Sequence, residues 1–377
     1  MAYQQIRLGI LGGGQLGKML IQSAADWNIT TKVLDPDPDA PCRSLAAEFV
    51  CGPLTDYVTV LNFGKDVDVL TIEIENVNTE ALQALVELGV KVFPPPALVA
   101  LIQDKCQQKE FYREHQIPTA DYILTKNRED VYRHAGFLPA MHKLGRAGYD
   151  GRGVQKIATV DDLPKAFDVP GVLEKMVDFE KELAVIVARN PDGETEVFPV
   201  VELVFDPVYN LVDYLFAPAN IPAEVAREAY RIAQLVVEKM DFVGLLAVEM
   251  FLTKEGHVLV NEVAPRPHNS GHHTIEANVT SQYQQLLRAI LNLPLGSTAA
   301  LSPAAMVNLL GEAGHSGPAV YEGLELVLAL EGAYIHLYGK AMTKPFRKMG
   351  HVTLVDQQLA RLTGKIAFVK KSLRVVT

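Results

Sequence analysis

Cysteine is scarce in this chain: Cys42, Cys51 and Cys106 are the only three in 377 residues, and no two form a C-x-x-C pair. An odd count without paired spacing supports neither a disulfide framework nor a zinc site. No uninterrupted apolar run is long enough to span a bilayer, and no basic segment leads into an apolar one at the start. The cytoplasm is therefore the default compartment, with no membrane partner. Basic charge is also short: 35 Lys and Arg stand against 45 Asp and Glu, for a net charge of −10. That argues against a broad nucleic-acid surface, so an anionic ligand has to be met by local basic clusters. The Walker spacing G-x-x-x-x-G-K-[ST] is missing, and no convincing Ser-His-Asp or Cys-His arrangement is present.

What remains is ordinary globular composition, 49% hydrophobic and 21% charged, with length for two or three domains. Over residues 6–93, strand-like segments ("IRLGIL", "TTKVLD", "DVLTIEI", "VKVFP") alternate with helix-like ones ("LGKMLIQSAADW", "NTEALQALVELG"). Such alternation builds a parallel, doubly wound sheet. Pro94, Pro95 and Pro96 end it, which gives a first α/β domain over residues 1–97. Residues 98–297 read as α+β. They hold a helical stretch "DKCQQKEFYREHQI", strands joined by turns such as "NPDG", a helix "PAEVAREAYRIAQLVVEKM", and the strand pair "LLAVEMFL" and "HVLVNEVA". Residues 298–377 read as a small β-rich domain with strands at "LELVLAL", "AYIHLYG", "HVTLV" and "IAFVKK".

Five stretches carry chemistry. Gly12, Gly14 and Gly17 fit G-x-G-x-x-G, and Asp35 follows 18 residues after Gly17. That is the dinucleotide fingerprint, and it keeps a nicotinamide-dependent oxidoreductase open as one reading. "HKLGRAGYDGRGVQ" (142–155) places four glycines between two strands, beside Lys143 and Arg152; such a loop can turn backbone N–H groups toward a phosphate. In "VEMFLTKEGHVLVNEVAPR" (248–266) a two-residue loop sets Glu249 opposite Glu262. A four-residue loop keeps them on one face, and a three-residue loop separates them. Facing carboxylates destabilise a sheet unless a cation sits between them, and oxygen-only ligands suit Mg²⁺ or Mn²⁺ held jointly with phosphates. "LEKMVDFEKELAV" (173–185) offers backbone groups for an adenine edge and Glu182 for a ribose. Finally, Lys340, Lys344, Arg347 and Lys348 cluster with no acid between Glu331 and Asp356.

In this order, Lys105, Lys143 with "GYDGRG", "LEKMV", Glu249 and "NEVAPRPHNSGHHT" resemble the ATP-grasp ligases. With "GGGQLGKML" added, the resemblance is closest to the N5-carboxyaminoimidazole ribonucleotide synthetases of purine biosynthesis, and it covers nearly the whole chain. It implies a Rossmann-like pre-ATP-grasp domain, a central ATP-grasp domain and a small C-terminal domain. The implied reaction joins bicarbonate to the amine of 5-aminoimidazole ribonucleotide at the expense of ATP, in a cytoplasmic homodimer. By position, Lys105 and Lys143 contact the ATP phosphates, with Gly148, Tyr149, Asp150, Gly151, Arg152 and Gly153 closing over them. Glu174, Lys175, Met176 and Val177 hold the adenine, and Glu182 the ribose. Glu249 and Glu262 bind Mg²⁺ with Asn261 beside them, and Arg266, His268 and Asn269 hold bicarbonate. Tyr149, Asp150, Arg152, Lys340 and Arg347 take the ribonucleotide, with Gln15 and Glu73 at the glycine turn. Another ATP-grasp ligase, acting on a different amine or carboxylate, stays open as the nearer alternative.

Overall fold

Leu8, Ile10, Leu11, Leu34, Leu70 and Ile72 are all but inaccessible to solvent, as strands buried on both faces must be. They belong to a five-stranded parallel sheet in the computed structural model, which describes residues 6–146, 148, 153–206 and 211–377. Tyr149, Asp150, Gly151 and Arg152 lie outside the described residues. Strand Arg7–Leu11 is central, with Thr30–Asp35 and then Glu48–Cys51 on one side and Val69–Ile72 and then Lys91–Val92 on the other. The strand order thus reverses at the end of Arg7–Leu11, where ligands collect in such sheets. The edge strand Glu48–Cys51 and the helix Tyr57–Gly64 are additions to the sequence reading. No residue of that strand is fully buried, so its apolar pattern is faint.

The central region holds a four-stranded antiparallel sheet, in the order Tyr122–Thr125, Gly171–Lys175, Ala140–Leu144, Val154–Ile157. Beside it runs a nine-stranded antiparallel sheet. Its edge hairpin is Val258–Ala264 on Gly244–Thr253, followed by Phe179–Arg189, Val201–Phe205 and Val212–Ala217. Helix Ala223–Lys239 packs Val225, Ala229, Ile232, Val236 and Val237 against one face.

The last region forms only two small two-stranded sheets of its own, Gly317–Pro318 with Met342–Thr343 and Val320–Glu322 with Arg374–Val376. Ala304–Leu310, Lys348–Val355 and Ala333–Leu337 continue the nine-stranded sheet. Two expected strands there are helices. "LELVLAL" alternates like a strand, but Gly323 at φ 77° opens the helix Leu324–Leu328, which buries only Val327. "IAFVKK" is the end of helix Leu359–Ser372, whose buried Leu362, Ile366 and Val369 follow a helical period that a six-residue window hides. The Lys18 ammonium donates to the Leu337 carbonyl (2.7 Å), tying helix Gln15–Ala25 to this last region.

Candidate active site

The acidic hairpin closes differently from either favourable expectation. The Thr253 N–H donates to the His257 carbonyl (2.8 Å) and the Gly256 N–H to the Thr253 carbonyl (2.9 Å), so the loop is the three residues Lys254, Glu255 and Gly256. Continued regularly, that register would set Glu249 opposite Asn261 and turn Glu262 to the other face. A β-bulge intervenes: Met250 pairs with Val260, but Glu249 pairs with Glu262, leaving Asn261 as the extra residue. Bulges of this kind re-aim side chains. Here the bulge restores the facing carboxylates and brings the Asn261 amide oxygen to 3.2 Å from the Lys143 ammonium. Glu182 lies on the same face, since it pairs with Phe251 while Ala184 pairs with Glu249.

In this crowd of carboxylates Glu249 and Glu182 resist ionisation. Burial, then Glu262 and Glu182, push the Glu249 carboxyl up to about 8. Burial and Glu262 push Glu182 up to about 7. The facing pair offers carboxylate oxygens to a hard cation, beside the Lys105 and Lys143 ammonium groups. Among the described residues no group of three or more His, Cys, Asp and Glu side chains is arranged to enclose a metal ion. Two carboxylates sharing a hard divalent cation with a ligand's phosphates fit what is present.

Lys105 and Lys109 stand one turn apart on helix Lys105–Glu114, whose N-terminus Asp104 caps by accepting from the Cys106 and Gln107 N–H groups. The Lys105 ammonium lies 3.5 Å from the Glu262 carboxylate. Glu174 is 3% exposed and bridges two ammonium groups, Lys109 at 2.7 Å and Lys143 at 3.0 Å. Burial opposes its charge, but Lys143 and Lys109 hold its carboxyl below the usual range. The Glu174 side chain is therefore committed to the two lysines. The Lys175 ammonium donates to the Phe137 and Leu138 carbonyls. Met176, exposed, and Val177, half-buried, stand at the open end of that strand. Gly153, at φ 80°, lies so close to Gly148 that a Cβ on it would come within 3.0 Å of the Gly148 Cα. This closes the neck of the glycine loop, whose Tyr149, Asp150, Gly151 and Arg152 are outside the described residues.

Beyond the hairpin, His268 Nε2 is 3.3 Å from the Glu249 carboxylate and Nδ1 is 2.9 Å from the Ser270 hydroxyl. Burial, with the charges of Arg266 and Lys348, pushes His268 down to about 3, so its ring is neutral near pH 7. Arg266 pairs with Glu75 across to the first sheet (2.9 Å). Asn269 is less open than expected, because its amide exchanges hydrogen bonds with Asn308 at 2.8 and 3.0 Å.

At the glycine turn, two carboxylates sit where a dinucleotide pyrophosphate would. The Gly13 N–H donates to Asp35 (2.6 Å) and the Leu16 N–H to Glu73 (3.2 Å). A Cβ at Gly12 or Gly14 would come within 2.6 or 2.5 Å of the Glu73 carboxylate, so these glycines make room for an acid of the protein itself. With Glu73 already at the helix N-terminus, a pyrophosphate meets repulsion there. Titration calorimetry with NAD or NADP should give no specific heat; micromolar binding of either would restore the oxidoreductase reading. Gln15 begins the helix here, half-buried. Burial and Asp35 raise the Glu73 carboxyl to about 7 against the pull of Arg266 and Lys340.

In the basic cluster the four residues separate. Lys344 is exposed, whereas Lys340, Arg347 and Lys348 are half-buried. The Lys340 ammonium donates to the Lys348 carbonyl (2.8 Å) over the Tyr338 ring, and the Arg347 guanidinium to the Met342 carbonyl (2.8 Å). Lys109, Glu75 and Asn308 were not singled out from sequence. Only Lys109 had a local signal, one helical turn from Lys105.

A family model for the ATP-grasp domain matches residues 110–283. A model for the ribonucleotide synthetase preATP-grasp domain matches residues 5–103, and one for the phosphoribosylaminoimidazole carboxylase C-terminal domain matches residues 304–365. N5-carboxyaminoimidazole ribonucleotide synthase of Synechococcus elongatus is 39% identical over 357 residues, 92% of this chain and 89% of that protein. The chloroplastic phosphoribosylaminoimidazole carboxylase of Vigna aconitifolia is 38% identical over 372 residues, 96% of this chain; the chain spans just 66% of that longer relative. The solved structure of N5-carboxyaminoimidazole synthase from Aspergillus clavatus with ADP and 5-aminoimidazole ribonucleotide superposes with a TM-score of 0.89 at 34% identity, covering 98% of both chains.

Proposed function

The chain belongs to the N5-carboxyaminoimidazole ribonucleotide synthase family of ATP-grasp ligases, and from that premise we propose that it carboxylates 5-aminoimidazole ribonucleotide on its exocyclic amine, with bicarbonate as the carbon source and ATP converted to ADP and phosphate. One observation carries the reading: the bulge at Asn261 sets Glu249 and Glu262 face to face beside the Lys143–Glu174–Lys109 bridge. That pairing of acids with lysines suits a nucleotide triphosphate and its divalent cation, and nothing in hydride transfer calls for it.

Glu249 and Glu262 would hold Mg²⁺ or Mn²⁺, which when bound neutralises phosphate charge as the γ-phosphoryl group is transferred. Lys105 and Lys143 bring ammonium groups to the phosphates. The open end of strand Gly171–Lys175, at Met176 and Val177, receives the adenine and Glu182 the ribose. Arg266 and neutral His268 orient bicarbonate, with Asn269 behind them. A bicarbonate oxygen attacks the γ-phosphorus and ADP leaves. The resulting carboxyphosphate passes its carboxyl carbon to the amine nitrogen, and phosphate departs as the amine loses a proton. No protein nucleophile takes part; positioning and charge supply the acceleration. Glu73 and Gln15 face the acceptor from the glycine turn, Lys340 and Arg347 from the C-terminal region.

The reading extends to three functional regions bounded near residues 97 and 297, and to a homodimer acting in the cytoplasm. Among the described residues, no helix is long and apolar enough to cross a membrane. ADP release should require the ribonucleotide and bicarbonate together, and should yield the acid-labile carbamate in equal amount. Release that follows another amine, or that ignores bicarbonate, would move the chain to a different ATP-grasp reaction.

A further inference from the structure

Gln282 is a fully buried amide at the first position of helix Gln282–Ile290. It reaches back to His268 and pairs with both of its backbone groups. The Gln282 Oε1 accepts from the His268 N–H (2.9 Å), and the Gln282 Nε2 donates to the His268 carbonyl (2.9 Å). His268 has extended backbone, φ −129° and ψ 154°, so the amide stands in for a neighbouring strand. Without it, the His268 N–H would lose its partner at the desolvation cost of an unmade bond, and the His268 carbonyl would keep only the Gly271 N–H (3.0 Å).

The amide is itself fixed. The Gln282 N–H donates to the Thr274 hydroxyl (2.9 Å), which donates in turn to the Gly271 carbonyl (2.6 Å). A Cβ on Gly271 would lie 2.5 Å from the Gln282 Oε1, so the "NSG" glycine is the space the amide occupies. The helix behind Gln282 packs Tyr283, Leu286, Leu287 and Ile290 into the same core as Leu16, Met19 and Leu20 of the helix that starts at the glycine turn. One rigid body therefore touches both the loop carrying Arg266, His268 and Asn269 and the turn facing the acceptor.

We propose that Gln282 is a positioning residue: its amide sets the His268 loop relative to the acceptor turn, so that carboxyl activation and amine attack occur at one place. The proposal rests on the reading that this loop holds bicarbonate. Gln282→Met, near in volume and unable to make either bond, should raise the bicarbonate KM about tenfold or more, leave the ATP KM within about threefold, and release ADP in excess of carboxylated product. Gln282→Glu keeps an acceptor for the His268 N–H and should fall between Gln282→Met and the unaltered enzyme. A purely structural role predicts a lower melting temperature with the bicarbonate KM and the ADP-to-product ratio unchanged in whichever variant folds, and that result overturns the proposal. The unaltered full chain gives an independent check: the His268 amide should exchange its hydrogen slowly, and fast exchange removes the clamp. His268→Ala separates the two levels. If it leaves the bicarbonate KM unchanged, the bicarbonate assignment has failed; if it raises that KM while folded Gln282→Met does not, only the clamp has failed.

Discussion

Glu262→Gln is expected to cut turnover by about three orders of magnitude or more at any practical Mg²⁺ concentration, with Glu249→Gln close behind. A divalent cation at a transferring phosphoryl group stabilises the transition state by several kcal/mol, and about 4 kcal/mol is roughly a thousandfold in rate. The free protein should respond in the opposite direction. Glu262 is one of the charges that keep the Glu249 carboxyl up at about 8, so removing it relieves repulsion and should leave the melting temperature unchanged or higher. The pH dependence has a definite sign. Glu249 has a folded pKa above its unfolded value, so its contribution to stability is fully present in acid and is lost as pH rises through about 8. Cation binding needs the ionised carboxylate, so the stabilisation by Mg²⁺ with ATP should grow over the same range and flatten above it. Differential scanning fluorimetry from pH 5 to 9, with and without Mg²⁺ and ATP, reads both trends. A melting temperature that falls sharply in Glu262→Gln, or near-normal turnover in both variants, would show that these carboxylates are not the metal site.

The Glu249–Glu262 pairing shows how far the sequence could be read. The two apolar strands and the turn between them were plain, because buried strands announce themselves by composition and a Lys-Glu-Gly loop by its glycine. The register was not. A three-residue loop alone sends the two acids to opposite faces, and nothing in "VLVNEVA" marks Asn261 as the extra residue that returns them. Of the two lost strands near the C-terminus, "IAFVKK" failed through window length, since a helical period over Leu362, Ile366 and Val369 cannot be seen in six residues, and "LELVLAL" because it alternates like a strand while Gly323 turns it into a short helix. Partners distant in sequence were equally silent. Glu75 meets Arg266 only because the first domain packs on the hairpin's end, and Glu174 meets Lys109 only because helix Lys105–Glu114 packs on strand Gly171–Lys175; no local pattern encodes either pair. Motif resemblance located Arg266, His268 and Glu174 without saying what their side chains touch. For Glu174 the side-chain contacts are two lysines.

Arg347→Ala is expected to lower kcat/KM for the ribonucleotide by about one to two orders of magnitude, and Lys340→Ala by a similar amount. Hydrogen bonds to charged groups are worth roughly 1.5–3 kcal/mol, which sets that range. Composition alone treats the four basic residues of this stretch alike, but their settings differ. Lys344 is exposed, while Lys340 and Arg347 are half-buried and held by the Lys348 and Met342 carbonyls. A tethered guanidinium has already lost much of its rotamer freedom, so it can grip a phosphate without ordering a long side chain at the moment of binding. Lys340 also bears on Glu73 at the glycine turn, the side of the molecule proposed for the acceptor. Lys344→Ala should therefore be nearly silent, and Arg347→Lys should recover only part of the loss, because a point charge cannot reproduce the planar fork. The ATP KM should stay within about threefold in all of these variants, since the triphosphate is assigned to Lys105 and Lys143. Steady-state kinetics with the ribonucleotide varied at saturating ATP and bicarbonate decide the matter. Unchanged acceptor kinetics in both Lys340→Ala and Arg347→Ala would reduce the cluster to a solvated face, and a rise confined to the ATP KM would mean that a different ligand binds there.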